Sequence, residues 1–66
     1  MTTSLSRNLS RLRTQQGITQ EQLAGKLGVS GAYISMLESG KKANPSLGLL
    51  QKLARAFKVA IGDLFA

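Results

Sequence analysis

Cysteine and histidine are both absent from these 66 residues, and aspartate and glutamate together number only three. No disulfide framework, thiolate metal site or imidazole ligand is possible, so neither a metal nor a cofactor is expected. Three acids scattered along the chain, with no glycine-rich phosphate loop, make no catalytic constellation, and an enzyme is not expected. No apolar run approaches the roughly 20 residues that span a bilayer, and the N-terminal segment lacks the apolar stretch of a signal peptide. The expectation is a cytoplasmic protein with no membrane partner and no evident small-molecule ligand. Internal repeats and low-complexity tails are missing too. The chain therefore reads as one domain over 1–66, with 1–3 a loose N-terminus. At this size folding buries only roughly 60% of the unfolded surface, and close helix packing has to hold the core. What the chain has in excess is positive charge: nine Lys and Arg give a formal +6, which suits a polyanionic partner without specifying one.

The stretch from Gln20 to Ser39, QEQLAGKLGVSGAYISMLES, is the most informative. Its apolar positions Leu23, Ala24 and Leu27, then Val29, Ile34 and Leu37, keep helical spacing except for one break at Gly28. This predicts two short amphipathic helices, near 20–27 and 31–38, meeting at a tight bend. Thr19 is placed to cap the first, with Gln22 completing a capping box, and Ser30 to cap the second. Ala24 is small where the helices must cross, and Gly28 supplies a positive φ without Cβ strain. Two helices so joined are the geometry by which a helix-turn-helix presents its second helix to the major groove of DNA. An ordinary helical hairpin is the plainer reading of an isolated Ala and Gly, but seven residues in register favour the former.

Around this core motif, Leu5, Leu9 and Leu12 predict a first helix that Gly17 stops. Arg7 and Arg11 lie four apart on its other side, either as a solvated face or as phosphate contacts. Gly40 ends the third helix. The basic loop Lys41, Lys42, Ala43, Asn44, Pro45 leads to Ser46, placed to cap a fourth helix whose core face reads as Leu47, Leu50, Leu53, Ala54 and Phe57. A last short helical turn is expected over Ile61 to Phe65. The fold class is all-α, a compact domain of five helices without strands.

With RLRTQQGITQEQLAGKLGVS, YISMLESGKKANPS and LQKLARAFKVAIGDLF in this order, the chain resembles the Cro-like phage-repressor (XRE) family of helix-turn-helix regulators from Leu5 to Phe65. The resemblance implies a five-helix repressor-like domain that binds double-stranded operator DNA, usually as a homodimer on a two-fold site. It places Gln20, Lys41, Lys42 and Asn44 at the DNA backbone. It also places Ser30, Gly31, Ala32, Tyr33, Ser35 and Met36 on the recognition helix. Gly31 and Ala32 depart from the family pattern, which often has Arg, Gln, Thr or Asn there. Neither offers a side-chain hydrogen bond, so Tyr33 becomes the foremost candidate for a polar contact. Arg13 and Glu38 fall where the family has a structural ion pair. Ile61, Leu64 and Phe65 fall where a second subunit is met, although a core role for Leu64 and Phe65 is also open. Lys58 stands where Gly is common and Ala60 where a capping Ser is common, which predicts a less firmly anchored last turn. The implied function is regulation of transcription, by repression or activation. An antitoxin-like or other protein-interaction module, or the DNA-binding part of a longer regulator, is the alternative.

Overall fold

A computed structural model of the chain describes residues 4–41 and 44–66. Four α-helices follow one another: α1 (Ser4–Gln15), α2 (Gln20–Leu27), α3 (Gly31–Ser39) and α4 (Leu47–Phe57). A 3-10 helix, Ile61–Phe65, closes the chain. The described residues include no strand. The expected fifth helix is thus not an α-helix: Asp63 N–H bonds back three residues to the Ala60 carbonyl at 3.0 Å, the tighter pattern that suits a five-residue piece.

The helix boundaries follow from capping. Thr19 Oγ1 accepts from Gln22 N–H at 3.0 Å while Gln22 Oε1 accepts from Thr19 N–H at 2.8 Å. Ser30 Oγ accepts from Tyr33 N–H and Ser46 Oγ from Leu49 N–H. At the bend between α2 and α3, Gly28 takes φ 74°, and the next residue, Val29, donates back to the Ala24 carbonyl at 3.0 Å. A side chain at Gly28 would find open space but a left-handed backbone, so the requirement there is conformational.

The core joins Leu5 and Leu9 of α1 to Leu23, Ala24 and Leu27 of α2, Ile34 and Leu37 of α3, and residues from the C-terminal third. On α4 the buried stripe is Leu49, Leu53, Ala54 and Phe57, which corrects the expected face. Leu47 is 63% exposed and Leu50 half-buried. Both Leu49 and Leu50 continue the stripe back from Leu53 with helical spacing, and only packing against neighbours chooses between them. Leu64 is wholly buried, so it closes the core and is not available to a second subunit.

The chain end is also better anchored than its own residues suggest. Asn8 of α1, itself buried, donates both amide hydrogens, to the Leu64 and Ala66 carbonyls, at 2.9 Å each. Ala60, which has no capping oxygen, still gives its N–H to Asp63 Oδ2 at 3.0 Å. No helix among the described residues is long and apolar enough to cross a membrane.

Candidate nucleic-acid interface

Because Ile34 and Leu37 point α3 into the core, Ala32 and Ser35 turn outward and are exposed. Ser30 is exposed at the cap, and Gly31, Tyr33 and Met36 are half-buried at the edges of that face. Tyr33 packs against the core and lines an open cleft together with Val29, Ser46 and Lys52. The outward face of α3 is therefore narrow, small and nearly uncharged.

Behind it stands a polar network that holds α3 to α1. Arg13 Nε donates to Glu38 Oε2 at 2.6 Å and Nη2 to Glu38 Oε1 at 3.1 Å. The remaining Nη1 donates to the Ile18 carbonyl at 2.8 Å, fixing the α1–α2 turn as well. The Arg13 and Glu38 side chains are 18% and 7% exposed, so this is a shielded, fork-shaped pair rather than a surface one. The hydrogen bonds that Arg13 donates to Glu38 raise the guanidinium's pKa above its ordinary value, against the opposing effect of burial. Glu38 accepts a third hydrogen bond, from a second partner that the sequence did not announce: Gln20 Nε2 donates to its Oε1 at 3.2 Å. This uses one of the two amide hydrogens of Gln20 and fixes the side chain at the start of α2.

Of the other expected backbone contacts, Lys41 and Asn44 are exposed, and Lys42 lies outside the described residues. Of the three expected at a second subunit, Ile61 is half-buried against the core, Leu64 is interior, and Phe65 is 47% exposed.

Two residues were missed. Asn8 reads as a polar position within a leucine pattern, and nothing local says that its amide meets a chain end 56 residues on. Glu21 reads as a first-turn acid of α2. In space its carboxylate lies against the backbone of Gly31, where any Cβ would collide with it. The other two acids are engaged elsewhere, Glu38 with Arg13 and Gln20, and Asp63 with the Ala60 N–H.

Residues 9–64 match a family described as helix-turn-helix. Among curated proteins, an uncharacterised HTH-type transcriptional regulator of Archaeoglobus fulgidus is 49% identical over 57 residues, covering 86% of this chain and 80% of that protein. Among solved structures, the restriction-modification controller protein C.AhdI from Aeromonas hydrophila is similar at a TM-score of 0.84 and 35% identity, over 94% of this chain and 92% of that one. The master regulator for biofilm formation SinR, from Bacillus subtilis, in complex with DNA, is similar at a TM-score of 0.86 and 27% identity, over 94% and 98% of the two chains.

Proposed function

Since the chain belongs to the helix-turn-helix family, we propose that it is a transcriptional regulator that binds double-stranded DNA sequence-specifically, with α3 in the major groove. The observation that carries this reading is the division of α3: Ile34 and Leu37 anchor it in the core, while Ser30, Ala32 and Ser35 are exposed and small, so none of these three keeps the helix from the groove floor. A +6 chain with its acids mostly engaged supplies the attraction to phosphate. Gln20, Lys41, Lys42 and Asn44 serve the backbone, which positions the domain without reading sequence. Ser30, Gly31, Ala32, Tyr33, Ser35 and Met36 face the bases, Ala32 being suited to a thymine methyl and Tyr33 to a polar contact. The regulator works in the cytoplasm as a homodimer. Its two α3 helices then meet half-sites roughly 34 Å apart.

Selection from a random duplex pool tests the reading. The expected outcome is one preferred two-fold sequence, bound with a Kd of about 10⁻⁸ M or tighter and with log affinity falling by about 0.9 per neutralised phosphate as log salt rises. Lys41→Ala should weaken every duplex alike and lower that slope. Equal affinity for all duplexes, or binding to none, would overturn the reading in favour of a protein-interaction module.

A further inference from the structure

We infer that Glu21, a residue of α2 rather than of the recognition helix, reads a base, and that the base is cytosine. The inference rests on the DNA-binding reading above. Gly31 has no side chain, and the volume that its Cβ would fill is occupied by the Glu21 carboxylate. Gly31 opens the first turn of α3, the part of a recognition helix that enters deepest, so Glu21 supplies a polar group at the position where residue 31 contributes none. The carboxylate belongs to an exposed residue, and neither of the other acids of the chain is free for such a contact.

The chemistry of the major-groove edges then selects the base. An ionised carboxylate only accepts hydrogen bonds. Guanine shows it two acceptors, thymine one, and adenine an acceptor beside its amine, whereas cytosine shows the N4 amine alone. Cytosine is attractive, guanine and thymine are repulsive, and adenine is mixed. Much of the discrimination is therefore rejection of the wrong base, which also explains why an acid is tolerated on a surface that approaches phosphate.

Selected duplex pools for the parent, Glu21→Ala, Glu21→Gln and Gly31→Ala test this. The parent should select cytosine at one position of each half-site, over the other bases by roughly tenfold or more. Glu21→Ala should lose that preference and keep the others. Gly31→Ala should lose it as well, because the new methyl evicts the carboxylate while an exposed, flexible side chain gives way without unfolding, as circular dichroism would verify. Glu21→Gln, which both donates and accepts, should move the preference to adenine. If Glu21→Ala and Glu21→Gln retain every base preference of the parent and bind all duplexes more tightly, Glu21 is a repelling charge near phosphate and the inference fails. A parent that selects no sequence at all overturns the DNA-binding reading itself.

Discussion

Glu38 holds together three parts of the molecule with one carboxylate: Arg13 at the end of α1, Gln20 at the start of α2, and its own helix α3. Removing it leaves a shielded guanidinium with only the Ile18 carbonyl. Glu38→Ala should therefore destabilise the fold by about 3–5 kcal/mol, read as a lower midpoint in urea unfolding. Adding Arg13→Ala to it should cost much less than the sum of the two single changes, because the stranded charge is gone. Arg13 has its folded-state pKa raised, so its contribution is complete below the ordinary arginine pKa and is lost only as pH climbs through the folded value. At this scale the sequence was partly legible. The Arg13–Glu38 pairing is suggested by family resemblance, but Gln20 and Glu21 acquire their partners from helix crossing, which sequence spacing does not encode. Gly31 likewise reads as a missing contact until the neighbour that fills its space is seen.

The elements differ in how much local chemistry specifies them. Around the bend, Thr19, Gln22, Gly28 and Ser30 each satisfy a helix end by a contact within a few residues, and those boundaries could be read off directly. The 3-10 helix at the end is specified less well. Lys58 sits in the left-handed region at φ 58°, a conformation costing about 1–2 kcal/mol for a residue with a Cβ. Glycine there gives back part of that gain in chain entropy, so Lys58→Gly should stabilise by up to about 1 kcal/mol. Ala60→Ser should add a capping oxygen opposite the Asp63 carboxylate and stabilise by about 0.5–1 kcal/mol. Each should raise the thermal midpoint by several degrees, at roughly 4–8 °C per kcal/mol for a domain this small. A midpoint unchanged in both variants would mean that the Asn8 bonds to the Leu64 and Ala66 carbonyls already determine the stability of this end. That anchor also explains why weak local signals at Lys58 and Ala60 did not translate into a poorly held segment.

For the molecule as a whole, the proposed homodimer has to be sought among the apolar side chains left outside the core. Among the described residues, Leu47 and Phe65 are the large exposed hydrophobic ones, at the start of α4 and at the end of the 3-10 helix. If they meet a second copy, Phe65→Asp should shift sedimentation equilibrium from dimer to monomer and leave the thermal midpoint of the monomer unchanged. Leu64→Ala, one residue away, should instead cost about 2–5 kcal/mol of folding stability, since its side chain is interior. A monomeric parent, or a Phe65→Asp variant that remains dimeric, would exclude a dimer contact at Phe65. The sequence by itself determined the helices, their caps, the bend at Gly28 and the basic charge, because each depends on backbone preferences and contacts only a few residues long. Only the tertiary structure decided which leucines of α4 and of the chain end are interior, how Asn8 secures the C-terminus, and which side chain fills the gap at Gly31. Those outcomes depend on the angles at which helices pack, and a periodic pattern leaves such angles open within about one residue's turn of the helix.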